Sequence, residues 1–193
     1  IVLGDIKNID IKKLPKADVV VGGFPCQGFS QANRFRVLDD ERNTLYKFFY
    51  EVIHEKQPRF FIAENVKGIL SLGKGEAIKQ IISDFEEAGY YTDMHLVNMA
   101  DYGVPETRQR VIIIGQHHDL GDEKLFRFPA PTHDKEGKGG LKKWVSISEA
   151  IAHFPDPDMP NAVLNHEYSK YKVEYRNYTA HRQTDPDRPS PTI

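Results

Sequence analysis

The sequence predicts an α/β fold in which strands and helices alternate along the chain and build a mostly parallel sheet. The first observation is a short β-branched run that ends in glycines, DVVVGGF at residues 18–24, which is typical of a strand buried on both faces. The second is that segments with apolar residues at helical spacing separate this run from later ones. Such alternation favours a parallel sheet covered by helices. The last strand pair is left open to either a parallel or an antiparallel direction.

The remaining elements follow in order. Residues 44–55 predict a helix with an apolar stripe, and Gln57-Pro58 ends it. That stripe consists of Leu45, Phe48, Phe49, Val52 and Ile53. A second buried strand is expected at 59–63, and a second helix at 76–88 with Gly89 in the C′ position. Further strands are expected at 90–99 and 110–115, joined by the turn YGVPET.

The character of the chain changes after residue 116. Residues 119–143 are rich in Gly, Pro, Lys and Asp and predict a long surface excursion. A short helix capped by serine is expected at 148–153. The polar, tyrosine-rich segment 155–193 has too little apolar periodicity for a second core, so it is interpreted as an extension or connector.

Composition excludes several classes of protein. The chain has 193 residues, a net charge of −2 and one cysteine, so it cannot contain an internal disulfide or coat nucleic acid by bulk charge. A local basic cleft remains compatible with that charge. No apolar run approaches the roughly 20 residues that span a bilayer, and a soluble intracellular protein is expected. Since the chain opens on IVLGDIKNID and ends on RPSPTI, both ends are interpreted as cuts through a larger protein.

Chemically competent side chains follow the predicted strands. Cys26 comes after the first, Glu64-Asn65 after the second, and Arg108 and Arg110 flank the start of the last. Taken singly, each has an ordinary interpretation as a small buried side chain, a turn or a solvated surface. Functional groups of an open α/β sheet collect at the carboxyl ends of its strands, however, so the combination favours one site.

The sequence resembles the C5-cytosine DNA methyltransferases, which use S-adenosylmethionine. GGFPCQGFS at 22–30 resembles the family's nucleophile motif, ENV at 64–66 its second catalytic motif, and YGVPETRQRVIIIG at 102–115 its Q-x-R-x-R motif. GDI at 4–6 resembles the acidic motif that meets the cofactor's adenine, and RNTL at 42–45 the segment leading into the helix after the catalytic loop. RPSPTI at 188–193 resembles the entry to the target-recognition region. The order agrees over essentially the whole chain, although Glu106 stands where the family commonly has glutamine.

The resemblance implies a Rossmann-like class I methyltransferase sheet, incomplete at both ends. Residues 1–118 would form the second part of the catalytic domain. Residues 119–193 would form the excursion, the short helix and a connector toward a target-recognition domain. The glycine-rich motif for the cofactor's methionine part is expected to precede Gly4.

The resemblance also implies residue roles. Cys26 would add to C6 of a flipped-out cytosine, Glu64 would contact N3 and the exocyclic amine, and Arg108 and Arg110 would contact the base carbonyl, brace Glu64 or hold a phosphate. The implied cofactor is S-adenosyl-L-methionine, with S-adenosyl-L-homocysteine as product. Its expected contacts are Asp5, Ile6, Phe24, Pro25 and Leu45. The expected DNA contacts are Gln27, Ser30, Arg42 and Asn65, with residues 28–42 as a loop that closes behind the base. No spacing of histidines suggests a metal site.

The expected substrate is double-stranded DNA, and the expected form is a monomer with no membrane association, located in the cytoplasm with the DNA. The enzyme would belong to a bacterial restriction-modification system, with a cognate endonuclease as functional partner, or act as an orphan. Three alternatives stay open: an RNA (tRNA) cytosine-5 methyltransferase with the same motif order, a non-catalytic relative, and a fragment inactive on its own.

Overall fold

A computed structural model of the chain describes residues 3–25, 44–121, 126–156, 159–160, 162–164 and 184–191. The helices in this part are α1 (Thr44–Lys56), α2 (Glu76–Glu87) and α3 (Ile147–Ile151). The strands are β1 (Val19–Gly23), β2 (Phe60–Val66), β3 (Tyr90–Asn98), β4 (Glu106–Thr107), β5 (Gln109–His117), β6 (His133–Asp134), β7 (Lys142–Lys143) and β8 (Ser190–Pro191). The chain divides into a first unit, Ile1–Val97 with Gln109–Pro129, and a second unit, Asn98–Arg108 with Ala130–Ile193.

The main sheet has the strand order β1-β2-β5-β3. β1 and β2 are parallel, as the intervening helix α1 requires, while β2 and β5 run antiparallel. The predicted α/β class is therefore confirmed. The sequence left open the direction of the last strand of this sheet, and the structure shows that this strand, β5, runs antiparallel to β2. Two-stranded pairs β4-β8 and β6-β7 lie outside this sheet.

The core of the first unit is an aromatic cluster between β2 and the two helices. Phe61 is fully buried, and its ring centroid lies 4.5 Å from that of Phe85 and 5.1 Å from that of Tyr90. Phe49 of α1 packs edge-on against Phe61 and Phe85. Edge-to-face contacts at these separations stabilise a core beyond the apolar area that they bury. The predicted second helix is confirmed as α2, and its apolar face packs into this core, since Ile78, Ile81 and Phe85 are buried.

Helix α1 differs from its prediction in the face that it buries. Tyr46, outside the predicted stripe, is only 4% exposed, whereas Leu45 is half-buried. The Tyr46 hydroxyl donates to Asp84 Oδ2 at 2.6 Å, and burial, with this carboxylate, raises the pKa of Tyr46 well above its usual value. A tyrosine can enter a core where its hydroxyl finds a partner, and apolar periodicity alone does not reveal that partner.

The expectation that β1 is buried on both faces is wrong. Val19 is 47% exposed and Val21 is 68% exposed, and both lie on the same face of the strand. β1 is the terminal strand in the sheet order, and nothing in the described part of the chain covers that face. A β-branched composition is compatible with burial on both faces of a strand, but it does not show which elements would cover each face.

The second unit is built from turns and short strands. The predicted excursion contains the parallel pair β6-β7, and α3 begins one residue before the predicted helix. Ser146 is its N-cap and accepts a hydrogen bond from the Glu149 amide at 3.1 Å. Across the described parts of both units, no helix is long and apolar enough to cross a membrane.

The close approach of Phe61 to β5 depends on Gly115, its cross-strand partner. A Cβ at position 115 would overlap the Phe61 ring, which the surrounding aromatic rings hold in place. We expect Gly115→Ala to lower the free energy of unfolding by about 1–3 kcal/mol, since overpacking forces the core apart. Urea denaturation measures the change.

Gly68→Ala is the matched control, because a Cβ there meets only Val66 Cγ2 at 3.9 Å. Adding Phe61→Leu to Gly115→Ala should recover part of the loss by removing the ring edge. Equal stability of Gly115→Ala and Gly68→Ala would contradict the packing described.

Candidate active site

The candidate site forms where β1 and β2 end side by side. Their parallel register places Gly23 opposite Glu64, so the chain leaving β1 starts beside the acidic residue at the end of β2. Burial alternates along β2, with Phe61, Ala63 and Asn65 facing the core and Glu64 on the other face. The strand thus presents its carboxylate on one face and its amide on the other.

Asn65 ties these two strand ends together. Its side chain is almost fully buried, its Nδ2 donates to the Phe24 carbonyl at 3.0 Å, and its Oδ1 accepts from the Val66 amide at 2.9 Å. A buried amide without partners would be costly, so this position is stable only because both ends of the amide are bonded. The bond to Phe24 fixes the backbone directly before Pro25.

Glu64 and Arg110 form an ion pair across β2 and β5. Antiparallel pairing sets Val66 opposite Arg110 and Ile112 opposite Glu64, so the two charged residues are diagonal neighbours on one face. Arg110 Nε lies 2.7 Å from Glu64 Oε1, and its Nη1 donates to the Gln109 carbonyl at 2.9 Å. The Arg110 side chain is 11% exposed while that of Glu64 is 42% exposed. The arginine is therefore largely buried, and the carboxylate is accessible to solvent.

Gly23 leaves the space into which this carboxylate reaches. A Cβ at position 23 would lie 3.2 Å from Glu64 Oε2, tighter than an ordinary van der Waals contact. The glycine therefore permits the carboxylate to lie over β1.

The other predicted arginine, Arg108, has a different charged partner. Arg108 belongs to the second unit, where its Nη1 lies 3.6 Å from Glu106 Oε1. Glu106 is the residue at which the motif departs from its usual form. Its carboxylate gives Arg108 a charged partner of its own.

The predicted cofactor residues lie around the N-terminal 3₁₀ turn and α1. Asp5 caps the turn Ile6–Asn8 by accepting from the Lys7 amide at 3.0 Å, and this turn contacts α1, the helix that carries Leu45. Phe24 is buried against Tyr46, with ring centroids 5.2 Å apart, so it supports the site from the core side. Pro25 is exposed.

Several predicted site residues lie outside the described part of the chain. They are Cys26, Gln27, Ser30 and Arg42, together with the proposed loop at 28–42.

Sequence reasoning missed one polar contact beside the ion pair. Lys67 Nζ donates to Gln109 Oε1 at 2.8 Å, joining the residue after the ENV motif to the residue between the two arginines. Their position next to motif residues is the signal that could have indicated them. Within the described residues, no group of three His, Cys, Asp or Glu side chains could hold a metal ion.

Comparison with solved structures supports the class of protein that this sheet and site define, a Rossmann-like methyltransferase. A crystal structure assigned as a DNA modification methyltransferase encoded within an E. coli prophage matches with a TM-score of 0.59 at 29% identity. The match covers 79% of this chain and 41% of that one.

The chain belongs to the C-5 cytosine-specific DNA methylase family, whose model matches residues 1–191. It is 44% identical over 166 residues to the type II methyltransferase M.NgoFVII of Neisseria gonorrhoeae, which covers 85% of this chain and 44% of that protein. It is also 44% identical over 182 residues to the orphan methyltransferase M.Rho11sI of Bacillus phage rho11s, covering 94% of this chain and 36% of the relative. The chain thus spans less than half the length of these relatives.

The Asn65 amide yields a prediction about stability. We expect Asn65→Ala to lower the free energy of unfolding by about 1–3 kcal/mol, because the buried Phe24 carbonyl loses its donor. Asn65→Asp should also destabilise the protein, since the new side chain keeps the shape but cannot donate to that carbonyl. Asn8→Ala, at an exposed position, is the control and should stay within about 0.5 kcal/mol of the original protein. Chemical denaturation of the three variants tests this, and an unchanged Asn65→Ala would contradict the role of the amide.

Proposed function

We propose that this chain forms the catalytic part of a DNA (cytosine-5-)-methyltransferase. The enzyme would transfer a methyl group from S-adenosylmethionine to C5 of a cytosine flipped out of double-stranded DNA. Family membership supports the reaction class, and the geometry of the strand ends supports the residue roles.

The observation that carries the proposal is the junction of β1 and β2. Gly23 lies opposite Glu64, and the Asn65 side chain holds the Phe24 carbonyl. Cys26 follows Phe24 by two residues, and two peptide units span at most about 7–8 Å. The only cysteine of the sequence therefore comes within two residues of the strand ends at which Glu64 and Arg110 form their ion pair, and this supports the proposal that the three act together.

Cys26 is the proposed nucleophile. Cytosine C5 is a poor nucleophile because its ring is aromatic and electron-poor. Addition of the Cys26 thiolate to C6 forms a carbon–sulfur bond and gives C5 enamine character. After C5 is methylated, its proton is lost to a base, the electron pair restores the 5,6 double bond, and the Cys26 sulfur leaves. A thiolate is favoured by nearby positive charge, which Arg110 contributes to this end of the sheet.

Glu64 and Arg110 would act on the pyrimidine together. The Glu64 carboxyl group would hydrogen-bond N3 and the exocyclic amine as negative charge builds on the ring. Arg110 would hold Glu64 in position through its Nε and present other donors of its fork to the base carbonyl. Arg108 would contact the same base or a phosphate.

The residues proposed to hold the cofactor have side chains of the chemical types that its adenine and its apolar parts would require. The exposed Asp5 carboxylate can accept from an adenine amine, and Ile6, Pro25 and the half-buried Leu45 offer apolar surface. Phe24 is assigned a supporting role, because its ring packs on Tyr46 and Phe49. S-adenosylmethionine, when bound, supplies an electrophilic methyl group on a sulfonium. The chain's own contribution there is binding and orientation.

Access to the base requires that it leave the duplex. The loop at 28–42 is proposed to close behind the flipped base, with Gln27, Ser30 and Arg42 contacting DNA. We assign Asn65 to positioning rather than to DNA contact, because both ends of its amide are committed to the backbone. The enzyme is proposed to act inside the cell as a monomer, either beside a cognate restriction endonuclease or as an orphan.

A covalent-adduct assay with the full-length protein tests the nucleophile. We expect a stable adduct with DNA containing 5-fluorocytosine, since fluorine at C5 cannot leave as a proton does, and we expect Cys26→Ser to abolish it. Denaturing electrophoresis of labelled DNA detects the adduct. An adduct that survives Cys26→Ser would overturn the assignment. Tritium transfer from labelled cofactor to tRNA but not DNA would favour the RNA alternative instead.

A second experiment tests Glu64. We expect Glu64→Gln to lower the rate of methyl transfer roughly 10²–10⁴-fold, because the amide cannot supply the charge-matched contact to the pyrimidine. Single-turnover tritium transfer measures the rate. Glu51→Gln, on the exposed face of α1, is the matched control and should transfer at the original rate. A Glu64→Gln enzyme as fast as this control would show that the carboxylate is dispensable.

A further inference from the structure

The second unit carries a compact basic turn, residues 132–144 (THDKEGKGGLKKW), here called the lysine loop. Its ends are joined by backbone hydrogen bonds from Lys142 to Thr132 and from Trp144 to Asp134, at 3.2 and 3.0 Å. Three glycines within it have positive φ, which lets the chain reverse tightly: Gly137, Gly139 and Gly140. The loop is therefore an ordered turn rather than a loose connector.

Internal contacts hold this turn in one conformation. Asp134 Oδ1 accepts from the amides of Glu136 and Lys138, and these hydrogen bonds lower the pKa of Asp134, so its carboxylate stays committed to the turn. Trp144 Nε1 donates to Asp101 Oδ1 at 2.8 Å, and the Thr132 amide donates to the Asp101 carbonyl at 2.9 Å. Both anchors belong to the same unit.

The loop carries an excess of exposed positive charge. It has four lysines against two acidic residues, a net charge of +2 in a chain whose total is −2. The four lysines are all exposed, and their ammonium groups have no hydrogen bond or salt bridge within the described residues: Lys135, Lys138, Lys142 and Lys143.

Some lysines of the first unit are used differently. Lys56 Nζ donates to the carbonyls of Lys12 and Leu14, Lys67 Nζ donates to Gln109, and Lys79 pairs with Glu76. The loop, by contrast, gathers four exposed lysines without a hydrogen bond or salt bridge to their ammonium groups on one ordered turn of the described chain. Repulsion between them costs stability, which an anionic partner would offset.

A cavity of about 650 Å³ lies beside the loop within the second unit. Its charged lining is balanced, with Lys135, Lys143 and Arg188 against Glu136, Asp185 and Asp187, and Arg188 is itself paired to Asp185 at 3.1 Å. A balanced lining does not select an anion. The cavity, which Lys135 and Lys143 also line, therefore gives no separate anion site, and the exposed lysines of the loop remain the candidate contact.

We propose that the lysine loop contacts the phosphate backbone of the DNA substrate, a proposal that rests on the function proposed above. Duplex DNA presents one negative charge per about 1.7 Å of its axis, so an ordered turn with four exposed ammonium groups can meet several phosphates at once. Lysine contacts phosphate as a point charge without reading the base. The loop would hold the enzyme on DNA without contributing to sequence choice.

A salt-dependence experiment with the full-length protein tests this. The loop variant replaces Lys135, Lys138, Lys142 and Lys143 by Gln, and fluorescence anisotropy measures its affinity for a target duplex and for an unrelated duplex over a series of salt concentrations. We expect affinity for both duplexes to fall roughly 10- to 100-fold at about 0.1 M salt. The slope of log K against log salt should decrease in magnitude by about 2–4, close to 0.9 per lost phosphate contact. A Lys→Arg variant at the same four positions should keep the original slope, because it keeps the charge.

The matched control replaces four exposed lysines of the first unit, Lys12, Lys13, Lys16 and Lys79, by Gln. It removes the same net charge and should leave the slope unchanged. An unchanged slope in the loop variant, in a protein that methylates DNA, would overturn the lysine-loop proposal and leave the proposed function standing. A protein that transfers no methyl group to DNA, yet loses slope in the loop variant, would keep the phosphate contact and overturn the proposed function. Equal losses in the loop and control variants would show a bulk charge effect and would also overturn the proposal.

Discussion

The hydrogen bond from the Asn65 side chain to the Phe24 carbonyl is the interaction on which the candidate site depends. Parallel pairing sets Gly23 opposite Glu64, and the ladder between β1 and β2 ends at this pair. The buried amide extends the connection by one residue past the ladder. Since Phe24 is also packed on Tyr46 and Phe49, the segment that leads to Pro25 and Cys26 is held by a polar contact and an apolar one at the same point.

The aromatic core makes this arrangement rigid. Phe61 and Asn65 lie on the same face of β2, so the ring cluster and the amide are successive parts of one buried row. Displacing that row would move Glu64, which projects from the opposite face of the same strand. Close packing transmits small displacements, because the interior has few voids to absorb them. The position of the carboxylate is thus set by residues that never contact it.

The sequence predicted the elements well because their apolar periodicity is local. It could not predict the direction of β5, which depends on how the chain returns to the sheet, nor the exposure of Val19 and Val21, which depends on what covers β1. The distinction between Arg108 and Arg110 was equally inaccessible. Both belong to one short motif, and only the β2-β5 register shows that Arg110 reaches Glu64. For the lysine loop, composition indicated a solvated surface, whereas the bonds made by Asp134 and Trp144 show an ordered turn.

The unequal exposure of Glu64 and Arg110 bears on two roles of their ion pair: it satisfies a nearly buried guanidinium, and it leaves polar atoms for the proposed contact with the base. A nearly buried guanidinium needs an acceptor, and Glu64 Oε1 and the Gln109 carbonyl supply two for its five N–H groups. The remaining donors have no partner in the described residues, and Glu64 Oε2 lies over the space that Gly23 leaves open. Donors and an acceptor therefore lie side by side at one edge of the sheet. That pattern complements a cytosine edge, where a carbonyl acceptor flanks a ring nitrogen and an amine donor. The pair that satisfies a nearly buried arginine thus also offers the donors and the acceptor that the proposed contact with the base requires.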